Sequence, residues 1–453
     1  MTIAICVPAI LALSTRIGTA DLAYHVRAGH EILDLGTIPR VDSFTFTVAG
    51  QPWFDQQWGS QLLLALIDAA GGWHAQALVR AGLVALTFAM VFFACRARGA
   101  RSPVAAGLTL AGFVVAAVNL SMRPQLLALP LFAASLLIWA SRSRYPRAMW
   151  AIPLFAAVTA NLHGSFVLFP ILPFLAWAAD RESHAEGRRA LRVTLATTIA
   201  TFITPFGPRV WLYATDLSTS PLIRRTIEEW QPPALTEPTG ALLYASIFGT
   251  VVLLSRRRPP APALDLFMLG LFAVPAFVAV RGLLWWGLVA PVVIAGLVRS
   301  HRARSEDDNG DRGPAAIAVV GLALVTLALA VSAGTRDLDE LLRDAPTGVT
   351  EAVAELPTGT RLLAHQPWAS WFTHSVPHVP LFADSRIELF PDSIWSDYSE
   401  VAFAGADWAE VLDSRRIEAI AAPSQWPLIP LLRSQDGWRV AYEGDDGMLF
   451  VRA

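Results

Sequence analysis

The chain has 453 residues, of which 54% are hydrophobic and 16% are charged, with a formal net charge of −2. An ordinary soluble domain carries about 25% charged residues, so this composition favours an integral membrane protein. The only two cysteines, Cys6 and Cys95, lie in apolar segments, which predicts neither a disulfide framework nor a cysteine-based metal site. We expect no nucleic-acid partner.

The first apolar segment, residues 1–13, lacks the positively charged flank and the cleavage site of a secretory signal peptide. We therefore predict a first membrane helix, with a cleaved leader as the alternative. The segment is shorter than the roughly 20 residues that cross the hydrocarbon core. This leaves open whether the natural chain begins upstream of Met1.

Ten further apolar runs follow the first segment, each near or just under spanning length. The runs cover residues 75–95, 103–120, 124–140, 148–161, 165–179, 190–204, 240–255, 263–280, 282–298 and 314–333. The predicted fold class is an all-α polytopic membrane bundle of about eleven transmembrane helices, with a soluble α/β domain at its C-terminus.

The 35 basic residues are all arginine, and they cluster in alternate connections. One set of connections holds seventeen arginines: Arg96, Arg98, Arg101, Arg142, Arg144, Arg147, Arg181, Arg188, Arg189, Arg192, Arg256, Arg257, Arg258, Arg299, Arg302, Arg304 and Arg312. The opposite set holds five: Arg123, Arg209, Arg224, Arg225 and Arg281. By the positive-inside rule the first set is cytoplasmic. We therefore predict a multi-pass protein of the cell membrane with a cytoplasmic N-terminus and an extracytoplasmic tail.

Two outer segments are longer than ordinary connections, namely residues 15–74 and 205–239. In the first, Leu22, Val26, Gly29 and Leu33 recur at helical spacing, which predicts an amphipathic helix at the membrane surface with Asp21 and His25 on its polar edge. In the second, the aromatic residues Trp211, Tyr213 and Trp230 suit the level of the lipid headgroups.

The tail alternates short helical and strand patterns, which predicts a small α/β domain. Predicted strands cover Arg361–Ala364, Val379–Ala383, Ile417–Ala421, Trp438–Tyr442 and Met448–Val451, and predicted helices cover 337–355, Trp368–His374, Asp407–Leu412 and Trp426–Leu432. We predict two domains, a transmembrane module over residues 1–334 and a soluble extracytoplasmic domain over residues 335–453. The tail has no nucleotide-binding or zinc-binding motif, so we assign it no chemistry.

Three carboxylates of the first outer loop, Asp21, Asp42 and Asp55, lie near His25 and Arg40 in the sequence. One of them, placed at a cavity, has the chemistry of a general base for a hydroxyl acceptor. The alternative is that these acidic residues simply keep the loop solvated.

Arg123, His163 and Arg281 stand at the outer ends of three predicted membrane helices. If these ends converge, they form a positive pocket suited to a phosphate or diphosphate. The alternatives are that the arginines reach lipid phosphates and that His163 caps or packs a helix end.

Two other acidic sites have both a functional and a structural interpretation. Glu228 and Glu229 precede Trp230 and have the ligand chemistry to position a hydroxyl or a divalent cation, but they also fit a solvated helix end. Asp384 and Arg386 fit either a ligand contact or, as we prefer, a local ion pair.

Several motifs resemble the bacterial multi-pass glycosyltransferases of the GT-C superfamily, which use polyprenyl-phosphate-linked sugars. In the first outer loop they are Asp21-Leu-Ala-Tyr-His25-Val-Arg-Ala-Gly, Ile38-Pro-Arg40-Val-Asp42-Ser-Phe-Thr-Phe and Trp53-Phe-Asp55-Gln-Gln-Trp58. Further on they are Arg123-Pro, Asn161-Leu-His163-Gly, Thr204-Pro-Phe-Gly207, Glu229-Trp230 and Ala383-Asp384-Ser-Arg386. The resemblance thus spans most of the chain.

The resemblance implies an enzyme with an outward-facing site, in which a lipid-phosphate donor gives up its sugar to a hydroxyl of a lipid, glycan or protein. By position, Asp21 takes the role of base and Asp55 is the second candidate, while Arg123, His163 and Arg281 are candidate contacts of the donor phosphate. Residues that would support the acceptor or the loop are His25, Arg40, Asp42, Gln57, Trp58 and Glu229. No cofactor is required, and a divalent cation is left open.

The first loop departs from the family pattern at three positions. Gln57 stands where an acidic residue is expected near Trp58, and Leu22 and Ala23 stand where aromatic residues are expected. These changes put the acceptor site or the activity itself in question. A transporter or flippase of lipid-linked precursors and a non-catalytic membrane assembly protein remain as alternatives.

Overall fold

The computed structural model describes residues 1–257, 260–298 and 312–453. Four arginines used to predict the orientation, Arg258, Arg299, Arg302 and Arg304, lie outside the described residues. The α-helices are α1 Thr2–Ser14, α2 Leu22–Leu35, α3 Trp58–Ala97, α4 Ser102–Ala116, α5 Pro124–Ala140, α6 Ile152–Leu162, α7 Ile171–Asp180, α8 His184–Ala200, α9 Arg209–Thr219, α10 Pro221–Thr226, α11 Pro238–Arg256, α12 Ala263–Val278, α13 Gly282–Leu297, α14 Arg312–Ala333, α15 Leu338–Leu341, α16 Thr347–Ala354, α17 Gln366–Ser375, α18 Asp392–Ala402, α19 Trp408–Ser414 and α20 Ile429–Ser434.

The strands and the 3₁₀ turns are shorter. The strands are β1 Ile17–Gly18, β2 Leu342–Arg343, β3 Leu362–Ala364, β4 Ala419–Ala422, β5 Trp438–Gly444 and β6 Gly447–Arg452. The 3₁₀ turns are Ala117–Asn119, Pro146–Ala151, Gly164–Leu168, Glu228–Trp230 and Ile387–Leu389.

The chain forms two compact units. The bundle unit consists of Met1–Thr15 and His74–Thr335, and the sheet unit consists of Arg16–Trp73 and Arg336–Ala453. Helix α3 contributes one part to each unit, because its backbone leaves the helical conformation at Gly71 and Gly72.

In the bundle unit, every apolar run predicted from the sequence is mainly helical. Within the described ranges, the helices long and apolar enough to cross a membrane are Trp58–Ala97, the combined segment Ser102–Asn119, and Pro238–Arg256, accompanied by shorter apolar helices. Helices α4 and α13 pack at very close range, since a Cβ on Gly112 would lie 2.1 Å from the carbonyl oxygen of Gly287. Such contacts between small residues are typical of helices that associate in lipid. The count of eleven spans stays a prediction.

The sheet unit contains all the strands named above. The larger sheet has the order β3-β4-β6-β5, in which β3 and β4 are parallel and the other neighbours are antiparallel. The strand predicted over Val379–Ala383 is wrong as a continuous strand, because Leu381 makes only isolated bridges to Thr45 and Leu362. Helix α18 was not predicted, and it begins directly after Pro391.

The first outer loop and the tail belong to the same compact unit, whereas the prediction placed the loop in the transmembrane module. Strand β1 pairs in parallel with β2 through Ile17 and Leu342. The amide of Leu381 donates to the carbonyl of Phe44, and the carbonyl of Leu381 accepts from the amide of Phe46. Pairing between segments more than 300 residues apart cannot be read from local patterns, which explains the difference.

Candidate active site

Helix α2 begins directly after Asp21, the leading candidate for the base. Asp21 occupies the N-cap position, but its side chain does not cap the helix, and it is half-buried. Leu22, Val26 and Gly29 are buried as predicted, whereas Leu33 is 43% exposed. Within the sheet unit, α2 packs against α17.

A buried polar cluster lies behind this helix. The side-chain amide of Gln61 donates to Asp55 Oδ1 at 2.7 Å and lies 3.4 Å from His25 Nδ1. The predicted polar edge shared by Asp21 and His25 is therefore wrong for His25, which is buried because this cluster and the ring of Tyr24 surround it. Gln61 was missed from the sequence, although an isolated polar residue before a run of apolar helix residues is a usable signal.

The second candidate base, Asp55, is 2% exposed. Its Oδ2 atom is buried and makes no hydrogen bond with the described residues. Burial raises the pKa of the Asp55 carboxyl to about 8, and this outweighs the hydrogen bond from Gln61 and the charge of Arg386, which lower it. Asp55 is therefore mostly protonated at neutral pH.

The third loop carboxylate, Asp42, belongs to an ion-pair network with the tail. Arg386 is 1% exposed at its side chain and contacts Asp42 Oδ1 at 2.5 Å and Asp384 Oδ2 at 2.6 Å. Its guanidinium also lies over the rings of Phe44 and Trp53, at 4.5 and 4.6 Å. Burial opposes the charge of Arg386, but the carboxylates of Asp384 and Asp42 raise its pKa above the ordinary value.

This network decides between the two interpretations of Asp384 and Arg386. They form the local ion pair preferred from the sequence, and Asp42 extends it to the first outer loop. Asp42 also accepts hydrogen bonds from the backbone amide and the hydroxyl of Thr45. The three charged residues thus fix the loop to the tail within the sheet unit.

The remaining loop candidates have backbone or surface positions. Arg40 is exposed, and its carbonyl accepts from the amide of Trp53. The carbonyl of Gln57 accepts from the amides of Ser60 and Gln61, so Gln57 helps to start helix α3, and Trp58 is half-buried. None of these contacts assigns a chemical role.

In the bundle unit, three predicted residues come together. Arg123, which precedes α5, contacts Glu229 Oε1 through Nη1 at 2.6 Å, and Arg281, which precedes α13, has Nε 3.8 Å from Glu229 Oε2. The amide of Arg281 donates to the carbonyl of Glu229 at 3.0 Å, and its guanidinium lies 5.1 Å from the ring centre of Trp230. All three charged side chains keep 27–28% exposure.

His163 has a local structural role. Its Nδ1 accepts from the amide of Ser165 at 3.1 Å, at the start of the 3₁₀ turn Gly164–Leu168. This is the helix-end cap that the sequence left open as an alternative. Its place beside Arg123 and Arg281 stays a prediction.

Two arginines that share one partly exposed carboxylate have the chemistry of an anion site. Guanidinium groups donate paired hydrogen bonds to phosphate oxygens, and both arginines keep about a quarter of their side chains exposed. In the described ranges, no group of three or more His, Cys, Asp or Glu side chains is arranged to hold a metal ion.

Comparisons with known proteins find similar structures but no similar sequence. No family model and no curated protein sequence matches the chain. Among solved structures, the Archaeoglobus fulgidus oligosaccharyltransferase AglB, in complex with an inhibitory peptide and a dolichol-phosphate, is similar over 100% of this chain and 74% of its own, with a TM-score of 0.58 and 12% identity.

A second similar protein is ArnT from Cupriavidus metallidurans. In the apo state it is 16% identical, with a TM-score of 0.51 over 98% of this chain and 95% of its own. Bound to undecaprenyl phosphate it is 15% identical, with a TM-score of 0.50 over 98% and 96%. At these identities the likeness shows the fold alone, and the chain has the fold of AglB and ArnT.

Proposed function

We propose that this GT-C-fold chain is a glycosyltransferase of the cell membrane that moves a hexose or pentose from a polyprenyl-phosphate donor to a hydroxyl acceptor. The acceptor is a lipid, glycan or protein, and transfer occurs on the extracytoplasmic side. The observation that carries the proposal is the convergence of Arg123 and Arg281 on Glu229, within a fold shared with proteins that bind dolichol-phosphate or undecaprenyl phosphate.

Arg123 and Arg281 are assigned to the donor phosphate. They precede two apolar helices, α5 and α13, which supports their assignment to the level of the lipid phosphates. Each keeps about a quarter of its side chain exposed. As the sugar leaves, negative charge grows on the phosphate, and fixed positive groups stabilise that charge.

Asp21 is assigned as the general base in preference to Asp55. Asp21 is half-buried at the start of α2, whereas Asp55 is almost fully enclosed and mostly protonated at neutral pH. A base must reach the proton that it removes, and it must be ionised before it does so. Asp55 is assigned instead to the buried cluster that supports His25.

The reaction follows from these assignments. The acceptor oxygen forms a bond to the anomeric carbon of the sugar while the bond from that carbon to the phosphate oxygen breaks. The bonding pair leaves with the phosphate, which Arg123 and Arg281 of the bundle unit bind. The acceptor proton passes to a carboxylate base, the role that the resemblance gives to Asp21. Attack opposite to the leaving group inverts the anomeric centre.

The test is sugar transfer by membranes that carry the chain, supplied with labelled polyprenyl-phosphate sugars. We expect Asp21→Asn to lower the transfer rate at least a hundredfold, because the amide cannot accept the proton. The matched variant Asp55→Asn should retain activity near pH 7, because it replaces a carboxyl that is already neutral. Activity that survives Asp21→Asn and disappears in Asp55→Asn would reverse the assignment, and activity that survives both would refute the mechanism.

A further inference from the structure

A second charged cavity lies in the bundle unit, away from the residues assigned to the donor. It has a volume of about 240 Å³. Arg142 follows α5 while Arg123 precedes it, so about 26 Å of helix separates these two residues at 1.5 Å per residue. The charged and hydroxyl side chains that line the cavity are Arg98, Arg142, Ser143, Asp180, Glu186 and Arg189.

Two of the arginines are held by a single indole ring. The guanidinium carbons of Arg98 and Arg142 lie 5.2 and 5.1 Å from the centre of the Trp139 ring. Trp139 is fully buried. Arg98 also lies against α13, because a Cβ on Gly296 would come within 2.5 Å of its Nη2. The two cations are thus kept at fixed positions beside the cavity.

The acidic residues near the cavity match its arginines in number, but not every guanidinium donor has a partner among the described residues. The charge of Arg142 is paired, because its Nε and Nη2 donate to the two carboxylate oxygens of Asp180 at 2.9 and 3.2 Å. Arg98 makes one hydrogen bond, to Asp265 at 2.8 Å, and its Nε is buried without a partner among the described residues. A buried donor without an acceptor is energetically unfavourable.

Arg189 adds a third cation and Ser143 a hydroxyl. Arg189 is half-buried, and neither side chain has a hydrogen-bond partner in the described part of the chain. Their donors line the cavity and are available to a small anion, whereas Arg98 Nε is covered by α13 at Gly296. A tetrahedral anion with several acceptor oxygens matches divergent arginine donors better than a single carboxylate does.

We propose that this cavity binds a phosphate group, supplied either by the headgroup of an anionic phospholipid or by free phosphate. It would be a second anion site, independent of the proposed transfer reaction. The arginine distribution predicts that this end of the bundle is cytoplasmic, and basic pockets between helices on that side are suited to anionic lipid headgroups.

The test uses the full chain in phosphatidylcholine nanodiscs and compares two sources of phosphate. One arm titrates inorganic phosphate at constant ionic strength, and the other adds phosphatidylglycerol to the nanodiscs. Thermal stability is the measurement, because a ligand that binds only the folded chain raises the melting temperature in a saturable way. Arg189→Gln is the decisive variant, since Arg189 has no pairing within the described chain to lose.

We expect Arg189→Gln to raise the ligand concentration that gives half of the maximal rise in melting temperature, by about tenfold or more in at least one arm. Arg188→Gln, the exposed neighbour that does not line the cavity, should change it less than twofold. Arg281→Gln should leave the saturable rise in melting temperature unchanged, because Arg281 belongs to the proposed donor site and not to this cavity. Loss in the lipid arm identifies a headgroup, and loss in the phosphate arm identifies free phosphate. Equal effects of Arg189→Gln and Arg188→Gln, or no saturable stabilisation in either arm, would overturn the proposal.

Discussion

Asp55 offers a direct test of how burial controls ionisation in the first outer loop. Its pKa is raised from 3.8 to about 8 in the folded chain. Between these values the folded protein holds a proton that the unfolded chain releases, so the unfolded state binds fewer protons. Stability contributed by Asp55 is therefore complete below pH 3.8 and decreases as the pH rises towards 8.

The size of the effect follows from the same shift. Each pH unit inside this window changes the free energy of unfolding by about 1.4 kcal/mol. Raising the pH from 5 to 7 should therefore cost the wild-type chain about 3 kcal/mol that Asp55→Asn does not lose. For the sheet unit, which contains Asp55, this free-energy difference corresponds to about 5–10 °C in melting temperature.

The assay is thermal unfolding of the full chain in detergent at pH 5, 6, 7 and 8. The informative quantity is the difference between wild type and Asp55→Asn, in which contributions from all other titrating groups cancel. Asp34→Asn, at an exposed carboxyl of helix α2, is the control, and its melting temperature should follow that of the wild type at each pH. If the melting temperature of Asp55→Asn changes with pH as that of the wild type does across the whole range, burial does not raise the pKa of Asp55.

Two further substitutions test the ion pairs of the two units. Arg386→Leu should lower the free energy of unfolding by about 3–5 kcal/mol, because it leaves two buried carboxylates without their partner. The control Arg433→Leu, in an exposed pair, should lower it by less than about 1 kcal/mol. Equal shifts in the melting temperatures of the two variants would contradict this. Glu229→Gln should tighten polyprenyl-phosphate binding about tenfold by removing a competing charge from the two arginines, while Glu228→Gln should leave the dissociation constant unchanged; weaker binding by Glu229→Gln would show that the carboxylate supports the site.

Helix positions and local pairs were accessible from the sequence because they depend on neighbouring residues. The apolar run 124–140 coincides with α5, and the spacing of Asp384 and Arg386 was enough to predict their ion pair. The convergence of Arg123 and Arg281 was predicted conditionally, from their positions at helix ends. Their shared partner, Glu229, was foreseen only as a separate site.

The rest depends on contacts between distant parts of the chain. Asp42 and Arg386 are 344 residues apart, so neither could be recognised as the partner of the other. His25 lies at a position that looks polar on a helical wheel, but Gln61 and Asp55 enclose it. The unpredicted features are thus those that depend on contacts between residues far apart in the sequence, either within the loop or between the loop and the tail.

The parallel pairing of Ile17 with Leu342 also restricts how the chain can be threaded through a bilayer. Backbone hydrogen bonds of this kind cannot extend across the hydrocarbon core, so both ends of the bundle segment must emerge on one face. The chain between Thr15 and Arg336 must then cross the membrane an even number of times. The ten runs predicted there satisfy this parity, whereas nine or eleven would leave β1 and β2 on opposite faces. Strand β1 can also pair with β2 only after α14, the last helix of the bundle unit, has been inserted.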